Sequence, residues 1–97
     1  MPSQLIYQDR IPLPPAAFAQ LVIWRVEPPV RASSHCYKYR FAYVKDGICR
    51  LRYDNDNEAG KGDHKHIDGK EEPLNFTTID ALLDSFWREV MQLTEES

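Results

Sequence analysis

The sequence predicts an α+β fold, an antiparallel sheet of about four to five strands with one C-terminal helix packed on one face. Three observations carry this. Residues 36–54 alternate around an Asp46-Gly47 pair. Apolar residues recur at helical spacing from Ile79 to Leu93. The runs before them are rich in strand-forming residues and bounded by proline pairs. The 97 residues suit a single domain, 1–97, with one modest core.

Residues 4–13 read as a strand, since Leu5, Tyr7, Ile11 and Leu13 share one parity. Pro12 points to an edge position or a strand end, and Pro14-Pro15 closes the run because neither residue can donate to a ladder. Ala16 to Glu27 is a second apolar run. Its first half is compatible with helix, and its β-branched and aromatic second half, Leu21 to Val26, is assigned to strand. Pro28-Pro29 ends it, and residues 30–35 form a short loop. Tyr37 to Val44 and Ile48 to Tyr53 are the two arms of a hairpin, because Asp-Gly is a preferred two-residue turn. A regular register pairs Val44 with Cys49, Tyr43 with Arg50, Ala42 with Leu51 and Phe41 with Arg52. Val44, Ala42, Arg40, Cys49, Leu51 and Tyr53 then face the core. The other face interleaves Tyr39, Phe41 and Tyr43 with Arg50 and Arg52, which suits either a solvent face whose Arg stems cover the rings or a platform for single-stranded nucleic acid.

Residues 55–72 are polar and glycine-containing, and are expected to be loop. Pro73 to Phe76 is a short candidate edge strand. Thr77 or Thr78 can cap the helix, and Asp80 suits its first turn. Ile79, Leu82, Leu83, Phe86, Val90 and Leu93 form its apolar stripe, widened by Trp87.

Net charge is −3 and the pI about 5.5, which argues against a general polyanion binder. The average hides a gradient: residues 1–30 are net 0, residues 31–66 net +3 and residues 67–97 net −6. The middle is the part suited to a phosphate backbone, and the acidic end to solvent or a basic partner. The two cysteines, Cys36 and Cys49, fit neither a disulfide framework nor a zinc-pair pattern. No run of eighteen apolar residues and no signal-peptide pattern appears, so a cytoplasmic location away from membranes is expected.

The chemistry is concentrated between Arg52 and His66, where Asp, Asn, Lys and two His follow a strand directly. His64 and His66 titrate near neutral pH and share one side of an extended segment. With Asp63 or Asp54 they could ligate a divalent ion, but no cysteine pair or third nearby His completes a set, so no metal and no cofactor is expected. Gly60-Lys61-Gly62 lacks the spacing and the hydroxyl residue of a phosphate loop. Asp54-Asn55-Asp56-Asn57 lacks the Gly and Glu of a calcium loop. RNA cleavage without a metal needs a proton acceptor for the 2′-hydroxyl, a proton donor for the leaving oxygen and a cation for the phosphorane. The residue types here supply all three.

Tyr37-Lys38-Tyr39-Arg40, Arg52-Tyr53-Asp54-Asn55, Gly60-Lys61-Gly62-Asp63-His64-Lys65-His66, Glu72-Pro73 and Phe76 together resemble the TumE-type family of bacterial and archaeal toxins. The resemblance runs from about His35 to Phe86 and finds no motif in the first 30 residues. It implies a cytoplasmic toxin of a type II toxin–antitoxin pair, whose cognate antitoxin is usually a helix-turn-helix DNA-binding protein.

The expected function is therefore a toxin acting on RNA as a metal-independent endoribonuclease. His64 and His66 are the candidate acid and base. Lys61, Arg50 and Arg52 are candidates to hold phosphate, and Asp54 and Asp63 to orient the histidines or Lys61. Arg40 and Lys65 join the nucleic-acid contacts, with Tyr39, Phe41 and Tyr43 stacking bases. The alternative is a non-catalytic module that docks on a protein or nucleic acid. A third reading makes the loop structural, with Asp54 and Asn55 capping turns and the histidines pairing with Asp63. Exposed strand edges make a homodimer compatible with the pattern.

Overall fold

A computed structural model describes residues 3–27, 35–55 and 62–96. Among these, six strands form one antiparallel sheet in sequential order: β1 (Gln4–Leu13), β2 (Ala17–Arg25), β3 (Tyr37–Lys45), β4 (Ile48–Asp54), β5 (His64–Ile67) and β6 (Lys70–Pro73). The helix α1 (Ile79–Glu96) follows. The α+β class and the C-terminal helix match expectation, and the sheet has more strands than expected. The loop expected over residues 30–35 lies largely outside the described residues.

The added strands fall almost wholly within residues 55–72, whose polarity reads as loop. Asp68 and Gly69 both take positive φ, 47° and 89°, as do Asp46 and Gly47 at 53° and 78°. That is the two-residue hairpin geometry that Asp-Gly favours. β6 therefore replaces the short strand expected at Pro73 to Phe76, and Pro73 ends it. β2 is strand along its whole length, including the half compatible with helix. Its backbone pairs with β1 from Ala17↔Leu13 and with β3 from Ala17↔Lys45, and this two-sided ladder overrides alanine's helix preference. Pro12 sits on β1, an edge strand, as its missing N–H requires.

One residue changes the meaning of the central hairpin. Lys45↔Ile48 and Val44↔Cys49 pair as expected, and then the register shifts. Arg50 is the extra residue, and the pairs become Tyr43↔Leu51, Ala42↔Arg52, Phe41↔Tyr53 and Arg40↔Asp54. A one-residue slip exchanges faces. β4 keeps Leu51 and Tyr53 inward, but β3 turns over. Tyr39, Phe41 and Tyr43 are core residues with exposures of 0%, 0% and 2%, while Arg40, Ala42 and Val44 face outward. The predicted stacking role of Tyr39, Phe41 and Tyr43 is corrected here, because fully buried rings cannot receive bases.

The helix lies over that aromatic face. Thr78 Oγ1 accepts the Ala81 N–H at 3.1 Å and caps its start. Leu82, Phe86, Val90 and Leu93 are buried, with Ile79, Leu83 and Trp87 packed beside them. The Phe86 ring meets Phe41 and Tyr53 edge-on, each at 5.4 Å between centroids. Polar contacts pin the same interface. Tyr53 OH bonds Ser85 at 2.9 Å and donates to Glu89, and Lys65 Nζ reaches Glu89 Oε2 at 3.0 Å. Burial and then the Glu89 bond hold the Tyr53 phenol well above its usual range. No helix among the described residues is long and apolar enough to cross a membrane.

Candidate active site and nucleic-acid face

With α1 on one side, the other side of the sheet stays open, and the register lays its residues out in rows. One row runs Gln8, Val22, Arg40, Asp54, His64, Pro73. The next runs Arg10, Gln20, Ala42, Arg52, His66, Glu71. His64 and His66 therefore share this face with Asp54, Arg52 and Arg40, as their alternation on one extended segment requires.

Asp54 is the centre of the cluster. Its Oδ1 lies 2.9 Å from His64 Nε2, and its Oδ2 lies 2.9 Å from Arg52 Nε. The Arg52 N–H is not aimed at that oxygen, so the second contact is an ion pair more than a hydrogen bond. His64 Nδ1 faces the Gly62 carbonyl at 2.8 Å. Gly62 takes a φ of 67°, a region that a residue with a Cβ enters at a cost. Both His64 neighbours are acceptors, so both contacts are hydrogen bonds only when the ring carries two protons. The side chains of Asp54 and His64 are 10% and 7% exposed. A buried pair of this kind is satisfied internally, and it leaves no His64 nitrogen free for a substrate.

His66 differs. Its side chain is 29% exposed, its Nε2 lies 3.7 Å from Glu71 Oε1, and its ring stands 5.2 Å from that of His64. Burial and then the Arg52 charge lower its pKa, with Glu71 acting in the opposite direction. The folded chain thus favours the neutral ring, and the unfolded chain binds the proton more readily. The stability contributed by His66 is fully present above the ordinary value of about 6.5 and is lost below it, as pH falls through the lower folded value. An NMR titration of the ring protons is expected to give His66 a midpoint below that of a free imidazole. Replacement by Gln is expected to remove this part of the acid destabilisation; a midpoint at or above 6.5 would contradict the geometry.

Asp63 and Lys65 sit apart from the histidine pair. Asp63 Oδ2 accepts from Tyr39 OH and from His35 Nε2, each at 2.7 Å. The Tyr37 N–H donates to His35 Nδ1 at 3.2 Å, so Nε2 is the nitrogen that carries the proton. The His35 ring lies on Phe76, 3.7 Å between centroids. Burial and then the Asp63 bond push the Tyr39 phenol far above its usual range. His35 is the group that sequence reasoning missed, 28 residues from its partner. The reading that paired the histidines with Asp63 is corrected in its particulars: Asp63 takes His35, and Asp54 takes His64. Lys65 points to the helix side, bound to Glu89.

Arg50 is the bulge residue. Its guanidinium bonds Asp68 at 2.6 and 3.3 Å, and its carbonyl accepts the Asp68 N–H at 3.1 Å, so it ties β4 to the β5–β6 turn. Asn55 is buried, and its amide replaces a strand partner. It accepts the Tyr39 N–H at 3.1 Å and donates to the Tyr37 carbonyl at 2.7 Å. Lys61 lies outside the described residues. Among the described residues no group of three or more His, Cys, Asp or Glu is arranged to hold a metal ion.

A family model described as Toxin TumE matches residues 2–94, extending over the N-terminal strands where no motif was recognised. No curated protein and no solved structure matches the chain.

Proposed function

The chain belongs to the TumE toxin family, and on that premise we propose that it acts in the cytoplasm as an endoribonuclease restrained by an antitoxin partner, with His66 and Arg52 at the reacting phosphate. The observation that carries this reading is the half-exposed His66 ring, kept neutral by burial and the nearby Arg52 charge on an open sheet face. A neutral imidazole beside a guanidinium suits a base acting next to a phosphate. His66 takes the 2′-hydroxyl proton and the 2′-oxygen bonds to phosphorus. The P–O5′ bond breaks, and the leaving oxygen takes a proton from water. The products are a 2′,3′-cyclic phosphate and a 5′-hydroxyl. Arg52 balances the charge on the phosphorane oxygens.

Asp54 and His64 are positioning residues in this scheme, holding Arg52 from below. Asp63, through His35 and Tyr39, fixes the start of β5 that carries both histidines. Lys61 is kept as a second phosphate contact on its residue type.

The test is incubation of purified chain with single-stranded RNA, with added divalent ions and with a chelator. Fragments ending in 2′,3′-cyclic phosphate in the chelator arm are expected. RNA left intact in both arms would sink the enzyme reading, and cleavage only with added ions would replace its metal-free chemistry. The docking-module reading draws on the internal satisfaction of His64 by Gly62 and Asp54. It predicts that growth arrest survives His66→Gln and is lost with Arg40→Ala.

A further inference from the structure

The bulge buries the aromatics expected to stack bases and exposes a different set. Beyond the two rows already given, the open face carries Leu5, Trp24 and Lys38 in one row and Pro12, Phe18, Val44 and Cys49 in another. Phe18 and Trp24 are half-buried, and each has a cation over its ring. The Arg10 guanidinium stands 4.0 Å from the Phe18 centroid, and Lys38 Nζ stands 5.5 Å from that of Trp24. Between them a shallow groove of about 300 Å³ is lined by Phe18, Gln20, Val22, Arg40, Ala42 and Val44.

Charge decides what this face suits. Arg10 and Arg40 have no carboxylate partner among the described residues. The rows of this face hold four cations, Arg10, Lys38, Arg40 and Arg52, against two acids, Asp54 and Glu71, and Asp54 is held by His64 and Arg52. The remaining field is positive. Aromatic rings interleaved with arginines on a solvent-facing sheet are the arrangement that holds single-stranded nucleic acid, rings taking bases and cations taking phosphates.

We infer that the open sheet face is a track for single-stranded RNA that leads to His66, with Trp24 and Phe18 stacking bases and Arg10, Lys38 and Arg40 meeting phosphates. Neighbouring strands lie about 4.8 Å apart, so β2 and β5 are about 14 Å apart across the sheet. A sheet of this width stacks two or three bases elsewhere. The inference deepens the ribonuclease reading and rests on it for the choice of RNA.

The test uses a 2′-O-methyl RNA strand of about ten nucleotides, which cannot react because it has no free 2′-hydroxyl. In a Trp87→Phe chain, Trp24 is the remaining tryptophan and reports directly. Binding is expected to quench its emission. Trp24→Ala, followed by anisotropy of a labelled strand, is expected to weaken binding roughly five- to a hundredfold, with Trp24→Phe restoring most of it. Arg40→Ala is expected to reduce the salt slope by about one. No binding, binding without quenching, or equal affinity after Trp24→Ala would overturn the track. Equal quenching by poly-glutamate would also overturn it, marking a surface for an acidic protein instead. Cleavage of natural RNA is scored separately. Cleavage without quenching sinks the track alone, and quenching without cleavage upholds the track while sinking the enzyme.

Discussion

Asp54→Ala is expected to lower stability by about 1–3 kcal/mol, the range for leaving a buried hydrogen-bonding group without its partner. The cost follows from what remains. His64, 7% exposed, keeps the Gly62 carbonyl on one nitrogen and loses the acceptor on the other. Arg52 loses its counter-charge on the same face. A chain of this size has about 5–15 kcal/mol in total, so the loss is a large share of it. Asp54→Asn restores an acceptor for the His64 N–H but not the charge, and should fall between wild type and Ala. Urea unfolding of the three chains measures the series. A loss below about 1 kcal/mol for Asp54→Ala would mean that the cluster is solvated and not structural. The result bears on function directly. Loss of toxicity in an Asp54 or His64 variant reports on catalysis only when the melt shows a folded chain.

The sequence carried the helix stripe, the Asp46-Gly47 hairpin, the edge role of the first strand and the shared side of His64 and His66. It did not carry the bulge. Arg50 has no glycine signature, and either register gives β3 an apolar face. Volume offered a signal: turning Tyr39, Phe41 and Tyr43 inward buries far more apolar surface than Ala42 and Val44, and keeps Arg40 in water. The last hairpin was hidden because His, Lys and Glu obscure the period-two pattern, although Asp68-Gly69 repeats the earlier turn signal. His35 was beyond reach for a different reason. Its contact with Asp63 closes a loop of 28 residues, and no local pattern encodes such a pairing. In the candidate site, residue types were legible and partners were not, since partners depend on which strands meet and in what register.

His66→Ala is expected to lower kcat/KM for RNA cleavage by about 10²–10⁴-fold, the range for losing a general base. Stability above neutral pH should fall by no more than about 1 kcal/mol, because the ring is only partly buried and its contacts with Glu71 and the His64 ring are long. The structure makes this variant more informative than a double histidine change, because His66 is half-exposed and His64 is buried in the Asp54 cluster. The pH profile gives a second readout. Burial and Arg52 lower the His66 pKa, so the base remains neutral, and cleavage persists, somewhat below pH 6.5. The rising acid limb of the wild-type profile should therefore lie below that value and vanish in His66→Ala. In a bacterial host without antitoxin, wild type should arrest growth and His66→Ala, at equal soluble level, should not. If both arrest growth, toxicity does not pass through the imidazole, and Arg40 and Arg52 become the residues to vary. If the variant is inactive but its melt is also lowered by several kcal/mol, His66 belongs to the structural cluster with His64, and its ring is not the base.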